Sequence, residues 1–151
     1  MAARILVVDD EPSIVKLVKT TLEGRGYVVD EAFDGVEAIA EAKVHHPDLI
    51  LLDVMMPRMD GNEVRKRLLA DPATKDIPVI HLTAVGDYDK QRQALNEGAI
   101  DYIVKPFTPS DLADRVADYL DPKKREQMQK EHNQKSAQLR TITEIMHRSK
   151  E

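Results

Sequence analysis

Four ionisable side chains each close an apolar run. Asp9 and Asp10 end Ile5-Leu-Val-Val8, Asp53 ends Leu49-Ile-Leu-Leu52, and Lys105 ends Tyr102-Ile-Val104. A single aspartate after such a run is an ordinary turn or helix-cap residue. The recurrence is what matters. If the runs are buried parallel strands, three carboxylates and one ammonium arrive at the same edge of a sheet, where open α/β sheets place their ligand sites. Three crowded carboxylates repel one another, and their pKa values rise unless a cation sits among them. Magnesium suits such a set, being a hard cation that takes oxygen ligands and keeps several waters. A carboxylate beside it can accept a phosphoryl group as an acyl phosphate, which makes Asp53 the candidate nucleophile. Transfer of that group depends mainly on neutralising its charge. Magnesium and the Lys105 ammonium, a compact point charge, would divide that task. Thr83 ends the strand-like run next to that of Asp53 and offers a hydroxyl donor.

The elements that must position these groups are legible as an alternation. Strand-like runs occupy 4–8, 27–32, 49–53, 79–83 and 102–104. Those before Asp9, Asp53 and Thr83 are nearly all apolar, as central parallel strands covered on both faces are. The run 27–32 alternates more and reads as nearer an edge. Pro12 opens a first helical segment with Ile14, Leu17, Val18 and Leu22 inward, stopped by Gly24 and Gly26. A second starts at Gly35 with Val36, Ile39 and Ala40 inward and ends near His45. A third covers 62–70 with Val64 and Leu68 inward, and a fourth, 87–97, has a thin apolar stripe and ends at Gly98. Thr108-Pro-Ser-Asp111 reads as an N-cap that starts a fifth, with Leu112, Val116 and Leu120 inward. Five β-α units predict a parallel sheet with right-handed crossovers and helices on both faces.

The chain has 151 residues, 42% hydrophobic and 32% charged, enough for one cored domain and an appendage. No apolar run approaches a membrane span, and the N-terminus lacks the pattern of a signal peptide. There is no cysteine, hence no disulfide framework or thiolate metal site. A cytoplasmic location without a membrane partner is the expectation. The net charge of −5 is uneven: residues 121–151 hold eight Lys/Arg and five Asp/Glu, leaving 14 basic and 22 acidic residues before them. An acidic body is not built to bind nucleic acid directly. From Lys123 onward the composition is helix-forming. Met128, His132, Lys135, Leu139, Ile142 and Met146 follow heptad spacing. This segment reads either as a helix that packs or pairs, or as a linker.

Taken jointly, Asp9-Asp10, Asp53 with Pro57 and Asp60-Gly61, Thr83-Ala84 and Lys105-Pro106-Phe107 resemble the receiver domain of two-component response regulators, over about residues 3–120. The resemblance implies a flavodoxin-like, doubly wound α/β fold with five parallel strands in the order 2-1-3-4-5, the order for which a receiver is the standing example. It implies that Asp53 takes a phosphoryl group from the phosphohistidine of a sensor histidine kinase or phosphotransfer protein. Asp10 and Asp53 would be side-chain magnesium ligands, with Asp9 acting directly or through water and the Met55 carbonyl completing the protein share. Thr83 would be the switch hydroxyl, Tyr102 its paired aromatic, and the Lys105–Pro106 bond cis. Phosphorylation would draw Thr83 inward, let Tyr102 rotate, and alter the surface of the fourth helix, fifth strand and fifth helix. Residues 121–151 would couple that change to a homodimer through 108–120 and the C-terminal helix, or to a partner helix.

Some positions depart from the pattern. His81 replaces a more usual apolar residue in the fourth strand and reads as a packing residue rather than a ligand. Met55 and Val85 offer no polar group to orient an attacking water, which points to slow self-dephosphorylation. His45 and His46 stand at a helix end, where contact with the C-terminal dipole is expected rather than metal binding. Two other readings compete. A haloacid-dehalogenase-type magnesium phosphatase needs a second aspartate two residues after the nucleophile, where Met55 stands. A pseudo-receiver scaffold would lack acceptor residues that are all here. The chain is thus read as no enzyme beyond its own phosphorylation and dephosphorylation, and as either a stand-alone regulator or the amino-terminal part of a larger one.

Overall fold

The computed structural model of the chain describes residues 2–84 and 101–124, together with 126, 134, 141, 142 and 145. The segment 87–97 read as a fourth helix lies outside the described residues. So do Val85 and, except for Ile142, the heptad positions of the tail. Of the tail, residues 122–124, 126, 134, 141, 142 and 145 are helical.

Nine described elements follow one another as β1 (Arg4–Val8), α1 (Pro12–Gly24), β2 (Val28–Ala32), α2 (Gly35–His45), β3 (Leu49–Asp53), α3 (Gly61–Ala70), β4 (Val79–Ala84), β5 (Asp101–Lys105) and α4 (Pro109–Leu120). All strand pairs are parallel, and the order is β2-β1-β3-β4-β5, as the resemblance implies. The alternating run 28–32 is indeed an edge strand. Side chains leave a strand to alternate faces, so each central strand feeds two cores. Ile5, Val7, Leu49, Leu51, Ile80 and Leu82 meet α1 and α4 on one face. Leu6, Val8, Ile50, Leu52 and Val79 meet α2 and α3 on the other. This double burial is why β1 and β3 read as unbroken apolar runs.

Helix ends obey local chemistry. Pro12 opens α1, and α4 begins at Thr108, whose side-chain oxygen accepts from the Asp111 N–H at 3.1 Å. Asp34 and Asp60 cap α2 and α3 in the same way, accepting from Glu37 and Glu63. The inward stripes differ from the sequence reading at three positions. Leu17 is exposed and Val15 replaces it in the core. In α2, Val36 (69% exposed) and Ala40 face outward, while Gly35, Ala38 and Ala42 are buried. The reason is closeness of approach. A Cβ on Gly35 would lie 2.8 Å from both Met59 Sδ and Val64 Cγ2, so the face against the sheet and α3 must carry small residues, not the β-branched one. His45 does not act through the helix dipole alone. Its Nε2 lies 3.1 Å from Glu41 Oε2 and 3.9 Å from Asp30 Oδ1.

Candidate functional site

The ends of β1, β3 and β5 bring the sequence-predicted acids and amine together. Oxygens of Asp9, Asp10 and Asp53 all lie within 4.8 Å of one another. Asp9 is fully buried and Asp53 is 4% exposed, while Asp10 faces solvent. The cluster therefore has a closed floor and an open mouth. Lys105 Nζ lies 2.6 Å from Asp9 Oδ2 and 3.4 Å from Asp53 Oδ1. Asp9 also makes a turn contact, accepting from the Glu11 N–H at 3.0 Å. The commonplace role of a run-ending aspartate is thus filled by the same side chain that holds the lysine. Asp53 accepts from the Met55 N–H at 3.2 Å.

The electrostatics show what this arrangement lacks. Burial, and then the neighbouring charge of Asp9, push the Asp53 carboxyl up to about 7, against the pull of Lys105 and the Met55 N–H. Burial acts to lower the Lys105 pKa, but its hydrogen bond to Asp9 and the charges of Asp53 and Asp9 outweigh that and raise it. One ammonium thus leaves the carboxylates under-compensated. A hard divalent cation fits the remaining demand and the all-oxygen donor set. Asp9, Asp10 and Asp53 are the groups brought close enough together to hold it.

The loop after β3 holds this edge in place. Val54 N–H donates to Leu82 O at 3.1 Å and Gly61 N–H to Val54 O at 2.9 Å, clamping the start of α3 against the end of β3. A Cβ on Gly61 would fall 2.6 Å from Asp53 O and 2.9 Å from Val54 Cα, both backbone atoms that cannot swing away. Gly61→Ala is therefore expected to cost about 1–3 kcal/mol of stability. A urea unfolding curve measures it, and an unchanged midpoint would show that the loop yields freely. Arg58 completes the turn at φ 71°, a left-handed conformation uncommon for a residue with a side chain.

The remaining predicted residues flank the cluster. Thr83 is buried on β4, and its Oγ1 has no hydrogen-bond partner. Tyr102 on β5 is half-buried. The Lys105–Pro106 bond is cis. Met55 is 58% exposed and puts no acid where a phosphatase of the haloacid-dehalogenase type needs one. Two buried polar groups of α3 escaped the sequence reading. Asn62, in the first turn of α3, leaves both amide atoms unpartnered, and Arg65 is buried one turn further on. Their positions, i and i+3 on the stripe with Gly61 and Val64, were the available signal.

Comparison with known proteins agrees with this geometry. The DNA-binding dual master transcriptional regulator RpaA of Synechocystis is 46% identical over 113 residues, covering 75% of this chain and 47% of that protein. The phosphate regulon transcriptional regulatory protein PhoB of Pseudomonas aeruginosa is 46% identical over 112 residues, covering 74% of this chain and 49% of that protein. The chain thus spans about half the length of these curated relatives. Among solved structures, the chemotaxis protein CheY4 of Vibrio cholerae superimposes with a TM-score of 0.73 at 37% identity, covering 78% of this chain and 98% of CheY4. The family model described as response regulator receiver domain matches residues 5–117. With the sheet order, the acidic edge and these likenesses in agreement, the chain belongs to the response regulator receiver domain family.

Proposed function

We propose that this chain accepts a phosphoryl group on Asp53 from the phosphohistidine of a sensor kinase or phosphotransfer protein. The observation that carries the reading is a buried carboxylate, Asp53, flanked by two more acids and a lysine at the sheet's C-terminal edge. An Asp53 oxygen attacks phosphorus, the P–N bond breaks, and its electron pair stays with the imidazole, which leaves neutral because its other ring nitrogen already carries a proton. Bound magnesium would supply charge neutralisation on the phosphoryl oxygens. Lys105 supplies the other positive charge, and Asp9 holds that ammonium in place. The Thr83 hydroxyl, unengaged in the resting structure, donates to a phosphoryl oxygen. Tyr102 then turns toward the space that Thr83 has left. The altered surface includes β5 and α4, with the segment 87–97 as its expected third part.

The chain would act by protein contact, through self-association involving 108–120 and residues 121–151, or through a further domain, and its place would be the cytoplasm. Among the described residues no helix is long and apolar enough to cross a membrane. Sedimentation with and without beryllofluoride tests the association, and an unchanged mass over a wide concentration range would count against it.

Incubation with labelled acetyl phosphate tests the acceptor role. Incorporation should require magnesium, and the acid-stable, base-labile adduct should map to the peptide containing Asp53. Label on another residue, or none with magnesium present, would overturn the reading and leave a non-catalytic scaffold as the better account.

A further inference from the structure

One row of register-paired residues crosses the sheet on the face toward α2 and α3: Ala32, Val8, Leu52, His81 and Tyr102. The first three are apolar members of that core. His81 interrupts the pattern. It is fully buried, and neither Nδ1 nor Nε2 has a hydrogen-bond partner. A neutral imidazole carries one donor and one acceptor, and buried polar groups are normally satisfied. The resting packing therefore leaves a polar demand in the middle of the sheet.

Its neighbours decide what can meet that demand. Paired residues on adjacent strands stand about 5 Å apart with side chains on the same face, so Tyr102 is the lateral neighbour of His81. Thr83, two residues further along β4 on that face, is also buried with an unpartnered hydroxyl. Two polar side chains of β4 thus await partners beside one aromatic of β5. A phenol both donates and accepts, so it suits either tautomer of the ring. The charges of Arg65 on α3 and of Asp60 at its N-cap reach His81 with opposite effect, and burial keeps the ring neutral.

We propose that His81 is the positioning residue that receives the Tyr102 phenol when Thr83 turns to the phosphoryl group. The two polar side chains of β4 are then satisfied in the same step, one by phosphate and one by tyrosine. This rests on the phosphoacceptor reading above and adds to it the group that holds the aromatic inward.

Imidazole ¹⁵N spectra of the full chain, with magnesium and with or without beryllofluoride as phosphoryl mimic, test the proposal. His81→Met assigns the signal among the five histidines. One His81 ring nitrogen should shift by several ppm on beryllofluoride addition, and the shift should vanish in Tyr102→Phe. Amide signals around Asp53 report binding independently. His81→Met and Tyr102→Phe should each weaken beryllofluoride binding several-fold, and the double variant no further than either single one. An unmoved His81 ring while the Asp53 amides respond would overturn the proposal. So would the same shift in Tyr102→Phe, additive losses, or a hydrogen bond to Asn62 that beryllofluoride does not alter. If beryllofluoride fails to bind at all, the phosphoacceptor reading falls, and this proposal with it.

Discussion

Asp53→Asn should cut label incorporation from acetyl phosphate by about a hundredfold or more, yet leave the metal-free protein harder to unfold at about pH 8. Both results follow from one carboxylate. Asparagine keeps the shape and can still accept the Met55 N–H, but it has no anionic oxygen to attack phosphorus. The stability gain follows from the sign of the pKa shift. Asp53 titrates near 3.8 when unfolded and about 7 when folded, so the fold prefers its protonated form. The unfolded chain loses its proton first, and the contribution of Asp53 to stability declines as pH rises through that window. Above about pH 7 the ionised group is a liability. Water at the open mouth screens it, so the variant should gain roughly 1–2 kcal/mol. Urea midpoints measured in EDTA at about pH 5 and pH 8 provide the check, with the gain larger at the higher pH.

Magnesium should reverse the order. A ligand that binds only the native state stabilises it according to its concentration relative to Kd, and the neutral amide introduced by Asp53→Asn would be a much poorer ligand than the carboxylate. The cation and the proton compete for the Asp53 carboxylate, so magnesium affinity should fall about tenfold per unit of pH below 7 and level off above it. A variant that is more stable without metal and less stable with it cannot be explained by packing alone. Equal responses of the two proteins to magnesium would place the cation elsewhere.

The sheet and its acidic edge were legible in sequence because both are written in contiguous runs. Four apolar stretches with charged or hydroxyl termini, and a fifth that alternates, leave little freedom once parallel connections are required. The alternation of β2 and the unbroken runs of β1 and β3 even distinguish edge from centre. What sequence concealed was pairing between distant residues and the distance of approach. That Lys105 bonds Asp9 at 2.6 Å more closely than Asp53 depends on how β1 and β5 meet across β3 and β4, 96 residues apart in the chain. The inward face of α2 was misread at Val36 and Ala40 because apolar periodicity favours them, whereas Gly35, packed closely on Met59 and Val64, sets the buried face that Ala38 and Ala42 continue. Exposed valines on the far side then mimic a core stripe. His81 is buried, as its reading as a packing residue expects, but no pattern announces that both its nitrogens lack partners.

Acid should weaken this protein through His81, and Asp53→Asn should expose the effect. Burial first, then the charge of Arg65, lower the His81 pKa to about 4, with Asp60 opposing them. The unfolded ring titrates near 6.5, so between those values the unfolded chain binds the proton and the folded one does not. The stability that His81 lends as a neutral ring is complete above about pH 6.5 and is lost as pH falls toward 4. The loss is on the order of 3 kcal/mol. Over almost the same interval Asp53 acts with the opposite sign, gaining its proton more readily in the fold. In metal-free wild type the two slopes offset each other, and unfolding midpoints should vary little between about pH 4 and 7. Asp53→Asn removes one slope and should leave a protein whose stability drops steadily with acid. His81→Met removes the other and should give the mirror image, a protein that gains stability as pH falls. Urea titrations of the three proteins across that range decide the matter. If Asp53→Asn keeps a flat profile, the His81 ring is either protonated in the native state or reached by water, and its isolation in the sheet is not what sets its charge.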